Sequence, residues 1–353
     1  MNTKIFKVDP KNVEKQINDI KNAAELLSSG ELVVFPTETV YGLGGDARNP
    51  DAAKKIYAAK GRPSDNPLIV HIAEPSDAEE YTYTNALYYK LAEAFMPGPL
   101  TVILRAKDSI PKETRGGLDT VAVRCPSDPI ANKLIRLSGV PIAAPSANLS
   151  GSPSPTNARH VIEDMDGRVA AIIDGGDCDF GLESTIVKIE DDESLTLLRP
   201  GKITVDELSL IANVTVAAAV TGALEAGQVA LSPGMKYRHY APKAPLVLLD
   251  GDLEDCIEYI KKCDEGHIAV LCYNDDVDTF ERNIGYAKLF KLGYRDDMSA
   301  QAHSLFALLR DADKFDFEMI YAPLPSKDGV GLALYNRLIR AAAHRIVKVE
   351  KDG

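Results

Sequence analysis

Leu32-Val-Val-Phe-Pro-Thr-Glu-Thr-Val-Tyr-Gly42 is the stretch whose reading decides the fold. Four apolar residues halted by a proline predict a short strand, Leu32–Phe35. Upstream, Val13, Ile17, Ile20, Ala24 and Leu27 recur at helical spacing, and Gly30 is placed to end that helix. A helix feeding a strand that runs into hydroxyls and a glycine belongs to an α/β sheet, and open α/β sheets bind ligands where their strands end. A second string of this kind, Ala143-Ala-Pro-Ser-Ala-Asn148, follows the short run Val140-Pro-Ile142.

The alternation continues through residues 1–206. Strands are predicted at 32–35, 68–72, 100–104, 120–124, 141–144, 170–173, 184–189 and 194–198, with helices at 51–60, 85–95, 128–138, 156–165 and 204–212. Glu190-Asp-Asp-Glu193 reads as a hairpin turn, and several connections are too short for parallel crossovers, so the sheet should be mixed. This is an α/β domain with an open twisted sheet. Residues 207–242 read as a linker, ending in Ser232-Pro-Gly-Met-Lys-Tyr-Arg-His-Tyr-Ala-Pro242. Two tyrosines beside Lys236 and Arg238 suit docking over a ligand better than free spacing. Residues 243–353 begin again: strand 246–249, helix 252–263, strand 268–272, helix 299–312, strand 317–321, helix 331–343. That order predicts a small parallel sheet. It contains neither GxGxxG nor GxxxxGK[ST], so no nucleotide site is inferred there.

Between the first helix-strand units lies Lys60-Gly-Arg-Pro63. Pro63 keeps Arg62 out of helical geometry, so the chain leaves the helix extended, and positions i and i+2 project to one side. Lys60 and Arg62 can then meet one anion; taken alone, the pair is better read as a solvated helix end, where cations suit the dipole, and the chain's other polar strings reverse that preference.

Bulk composition narrows the classes. The 353 residues suit two domains, and 45% hydrophobic with 26% charged residues is ordinary for a globular protein. No apolar run approaches the ~20 residues of a membrane span, and Met1-Asn-Thr-Lys-Ile-Phe-Lys7 lacks the build of a signal peptide. Five cysteines, at 125, 178, 256, 263 and 272, form no CxxC pair and read as buried thiols in a reducing cytoplasm. The net charge of −12 argues against tight nonspecific nucleic-acid binding but allows a local positive pocket. Six histidines lie scattered, no serine sits in GxSxG and no HExxH occurs. Cations, hydroxyls and backbone amides remain, which suits catalysis by positioning and charge stabilisation, of which nucleotidyl transfer is one case.

The four strings, in this order, resemble the YrdC-like family, and the last resembles the linker of its long, two-domain form. The resemblance implies a YrdC-like catalytic domain, a linker closing over the active site and a smaller Rossmann-like α/β domain. It implies synthesis of L-threonylcarbamoyladenylate from L-threonine, bicarbonate or CO2, and ATP, with pyrophosphate leaving, for threonylcarbamoyladenosine in tRNA. Mg²⁺ is expected on the triphosphate, with no protein side chain as metal ligand. The product would pass to the tRNA threonylcarbamoyl-transfer machinery, with tRNA binding weak or indirect, no membrane association and a cytoplasmic location.

Carried residue by residue, the resemblance assigns Lys60 and Arg62 to catalysis. ATP falls to Lys60, Ser64, Thr120, Ser146, Asn148, Ser154, Arg199 and, from the linker, Tyr237. Threonine and bicarbonate fall to Thr37, Arg62, His71, Arg124, Ala144 and Ser184. Several of these have plain structural alternatives. Thr37 can cap its own turn, and His71, in an apolar run, can be a satisfied core histidine. Arg124, between Val123 and Cys125, needs an anion if buried, either an internal carboxylate or that of threonine. Thr120 and Arg124 share a face of one strand. Asn336-Arg337 resembles the family's C-terminal domain without suggesting chemistry. Two other classes compete: an RNA-binding module, which net charge disfavours, and a carbamoyl-phosphate-using transferase, which would need zinc-finger or acylphosphatase-like segments.

Overall fold

The computed structural model describes residues 2–222, 239–263 and 266–349. They form two units, one built from residues 2–150 and 154–220, the other from 151–153, 221–222 and 239–349. Tyr237, with Lys236 and Arg238, lies outside the described residues.

The first unit is organised by an eleven-stranded sheet. Its strands are β1 (Lys4–Lys7), β2 (Val33–Phe35), β3 (Gly42–Asp46), β4 (Ile69–His71), β5 (Leu100–Arg105), β6 (Thr120–Arg124), β7 (Ile142–Ala143), β8 (Ala171–Asp174), β9 (Thr185–Ile189), β10 (Ser194–Arg199) and β11 (Asn213–Val216). Their order across the sheet is β1-β8-β2-β3-β7-β4-β6-β5-β9-β10-β11. The sheet is mixed: β4 pairs parallel with β6, and β7 runs antiparallel to both β3 and β4. The Glu190–Glu193 turn joins β9 to its antiparallel partner β10.

Three strands were not foreseen, each for a physical reason. β1, Lys-Ile-Phe-Lys, is a charged edge, the usual protection of an unpaired strand, and carries no apolar run. β11 is the opposite edge, and it carries the first unit past residue 206 by pairing parallel with β10. β3 reads Gly-Leu-Gly-Gly-Asp, and a Cβ on Gly44 would stand 2.8 Å from both Ile142 and Phe35. Close packing of the strands demands glycine there and erases the hydrophobic signal.

Helices cover the sheet and set the strand ends. Pro50–Lys60 starts on the Asn49 side chain, which accepts from the Asp51 N–H, and stops at Gly61 with φ 61°. Pro129–Ser138 starts on Asp128, which accepts from Ile130 and Ala131 at 2.9 and 2.8 Å. One apolar core joins Ile20, Ala24 and Leu27 to Phe35, Leu134 and Ile173.

The second unit has five parallel strands: β12 (Leu246–Asp250), β13 (Ile268–Cys272), β14 (Lys288–Lys291), β15 (Met319–Pro323) and β16 (Ile346–Lys348), ordered β14-β13-β15-β12-β16. The helix Val277–Ile284, β14 and β16 were not foreseen; the remaining elements follow the expected order. Arg337, fully buried, stands over the ring of Tyr240, which stacks on Phe306 at 5.1 Å. That gives Arg337 a packing role within this unit.

Candidate active site

The turn after β2 is held by its own side chain. Thr37 Oγ1 donates to the Val40 carbonyl at 2.6 Å and lies 2.9 Å from Thr39 Oγ1, so its hydroxyl serves the turn. Glu38, the next residue, reaches Arg124 at 2.8 Å, both side chains being buried. Glu38 thus supplies an internal carboxylate to Arg124. Sequence reading quoted Glu38 within the string but gave it no role; the buried guanidinium was the signal that a carboxylate must be near.

The sheet register aligns further candidates. His71 on β4 and Thr101 on β5 are the partners of Arg124 on either side. Register partners present their side chains on one face. His71 is buried, and its Nδ1 lies 3.1 and 3.3 Å from the carbonyls of Ile69 and Ile142. Burial, then the Arg124 charge, pushes its pKa down to about 3, so the ring is neutral. Carbonyls only accept, which puts the proton on Nδ1 and makes Nε2 an acceptor. Beyond Thr101, its hydroxyl meets Ser184 Oγ at 2.7 Å, and Arg199 donates to Ser184 Oγ at 3.1 Å and to its carbonyl at 3.0 Å. Ser184 and Arg199 are thus a pair, and Thr101, absent from the sequence reading, links them to the Arg124 row. Ser154 donates to the buried Glu183 at 2.5 Å, the neighbour of Ser184.

A second cluster forms around Lys60. Its ammonium donates to the Ser146 and Asn148 carbonyls and, at 3.3 Å, to Asn148 Oδ1. Ser146 Oγ donates to the same Oδ1 at 2.5 Å. Arg62 is buried and donates to the carbonyls of Asn66 and Pro67 at 3.3 and 3.1 Å. Neither cation is a solvated helix end. The Ala144 N–H donates to the Ile69 carbonyl at 2.9 Å, fixing the approach to Ser146 beside the His71 strand.

Two candidates stand apart from these contacts. Ser64 is exposed, beside a shallow recess shared with Lys54, Tyr57 and Lys112. Thr120 opens β6 whereas Arg124 closes it, roughly 13 Å away along a strand, so the two cannot hold the same group. Among the described residues, no group of three or more His, Cys, Asp or Glu side chains could share a metal ion, and no helix is long and apolar enough to cross a membrane.

A mixed α/β domain thus gathers buried cations, serines and the neutral His71 on a common framework, a donor-rich setting of the kind that stabilises negative charge. Residues 25–201 match the Sua5/YciO/YrdC family model, described as telomere recombination, and residues 203–343 match the threonylcarbamoyl-AMP synthase C-terminal domain. The chain is 45% identical to the threonylcarbamoyl-AMP synthase of Bacillus subtilis, covering 99% of this chain and all 100% of that one. It is 42% identical to the enzyme of that name from Pyrococcus abyssi, over 96% and 98%. The crystal structure of P. abyssi Sua5 complexed with L-threonine superposes with a TM-score of 0.86, at 40% identity over 99% of this chain and 100% of that one. The chain belongs to the YrdC-like family, in its long, two-domain form.

Proposed function

We infer that this protein is an L-threonylcarbamoyladenylate synthase, a nucleotidyltransferase that condenses L-threonine, bicarbonate or CO2, and ATP to threonylcarbamoyl-AMP and pyrophosphate. The observation that carries the reading is the meeting of Lys60 with Ser146 and Asn148. Ser146 and Asn148, 86 and 88 residues beyond Lys60 in sequence, both accept from its ammonium group, so that two motif strings meet within a chain of this family.

The reaction joins an N-carboxy-threonine carboxylate oxygen to the α-phosphorus of ATP while the bond to the β-phosphate oxygen breaks. Lys60 and Arg62 are assigned to the charge that grows on the phosphate oxygens. Ser64, Thr120, Ser146, Asn148, Ser154 and Arg199 are assigned to the nucleotide, with Tyr237 from the linker. Thr37, His71, Arg124, Ala144 and Ser184 are assigned to threonine and bicarbonate, with Arg62 shared. Neutral His71 offers Nε2 to an N–H or O–H of the amino acid, and Arg124 is oriented by Glu38 for a carboxylate. Mg²⁺ is assigned to the oxygens of the triphosphate, where it neutralises charge. The product is destined for tRNA threonylcarbamoyladenosine through a separate transfer machinery in the cytoplasm, with tRNA held weakly or indirectly.

Pyrophosphate release tests this reading when substrates are left out one at a time. Turnover should need ATP, threonine and bicarbonate together; release that persists without threonine would overturn it.

A further inference from the structure

The second unit has a crevice of its own that the reaction does not use. In the order β14-β13-β15-β12-β16, the crossover from β12 to β13 runs one way along the sheet and that from β15 to β16 runs the other. With right-handed crossovers, the helices that follow β12 and β15 lie on opposite faces. They do: Leu253–Cys263 packs with Val277–Ile284, and Met298–Ala312 packs with Gly331–Ala341. Such a reversal opens a crevice at the carboxyl ends of the strands, where α/β sheets bind ligands.

A cavity of about 130 Å³ occupies that crevice, its floor formed by Leu249, Leu271 and Ala322 at the ends of β12, β13 and β15. An apolar cavity of about 150 Å³ admits benzene, so one small ring fits here. The walls include Ile260, Val270, Phe280 and Tyr321. The polar side is a built cluster: Arg295 donates to Asp276 at 2.7 Å and lies 4.4 Å from the centre of the Tyr273 ring.

Charge and shape select the ligand. The turn after β12, Asp250-Gly-Asp252, and the first helical turn, with Glu254 and Asp255, are acidic where a dinucleotide fold would receive phosphate. Gly251 opens no room for phosphate, because its missing Cβ would stand 2.5 Å from Val349. The Cys256 thiol senses the same field: burial first, then Asp255, Asp252, Asp250 and Asp276, push its pKa up to about 11. Among the described residues of the lining the one cation, Arg295, is already paired.

We propose that the second unit binds a small aromatic molecule, uncharged or cationic and free of phosphate, in this crevice, with its polar edge toward Asp276. Benzamidine, benzamide and benzoate share one ring and differ in charge. Ligand-observed NMR titrations of the full chain, with ATP and threonine present to fill the catalytic site, separate the cases. Saturable binding of benzamidine and benzamide is expected, with benzoate at least tenfold weaker. Leu253→Trp, on a partly exposed wall, should weaken both ligands at least tenfold while leaving pyrophosphate release unchanged. Asp276→Asn should weaken benzamidine more than benzamide, an independent arm should the tryptophan disturb folding. Equal binding of all three, binding of neither benzamidine nor benzamide, or indifference to both substitutions would overturn the assignment.

Discussion

Lys60 and Arg62 stand at the centre of the proposed site because both are buried and both donate to main-chain carbonyls. Lys60→Met or Arg62→Met should lower kcat about 10²–10³-fold, as loss of an oxyanion donor does. Near-normal turnover in both variants would contradict the assignment. Glu38 makes a different demand. Removing one partner of a buried ion pair costs roughly 3–5 kcal/mol, and Glu38→Gln, which keeps a carbonyl acceptor, should fall toward the lower end by thermal melting. The proposed site brings the threonine carboxylate to Arg124, so threonine's stabilising shift in melting temperature should be larger in the variant than in the parent; an equal shift would place the threonine carboxylate elsewhere. His71 offers a third check. With its pKa near 3, it should show no titration of its ring proton resonances between pH 5 and 8, whereas a midpoint near 6.5 would mean an open, hydrated ring.

At the scale of elements, the helix Pro129–Ser138 carries a built-in pH dependence. Burial, and then the charges of Glu38 and Asp179, push Asp128 up to about 7 against its two cap hydrogen bonds. A folded pKa above the unfolded one means that the folded state binds the proton more tightly. This contribution to stability is full below about pH 4 and is lost as pH rises toward 7. Asn caps as well as Asp without the charge, so Asp128→Asn should flatten that decline and raise the melting temperature at pH 8 by ~2–4 °C per kcal/mol recovered. A variant less stable than the parent at pH 8 would show that the ionised cap is favourable. The elements legible in the sequence were those whose cores announce themselves, such as β2, β5 and the helix Pro50–Lys60 with its Asn49 cap and Gly61 stop. β3 was hidden because packing replaced its side chains with glycine, and the edges β1 and β11 because they are short, largely exposed and carry no apolar run. The candidate residues were legible where a motif names a charge, as at Lys60 and Arg62, which the structure buries. They were hidden where a residue meets only a partner far away in sequence, as Thr101 meets Ser184 and Glu38 meets Arg124.

At the scale of the whole molecule, specificity follows from a site that matches polar groups. Sites that hydrogen-bond a substrate hydroxyl reject analogues lacking it by large factors, while one methyl is worth roughly 1–3 kcal/mol. Serine should therefore turn over slowly but measurably, and valine should fail; valine matching threonine would mean that the side-chain hydroxyl is not read. The central claim is that carbon from bicarbonate ends up bridging threonine and AMP. The most direct measurement supplies ¹³C-bicarbonate, threonine and ATP to the full chain and analyses the products by mass spectrometry. One labelled carbon in threonylcarbamoyl-AMP, with one pyrophosphate for each adenylate, is the expected result. ADP and phosphate in place of pyrophosphate, or an adenylate without the label, would contradict it.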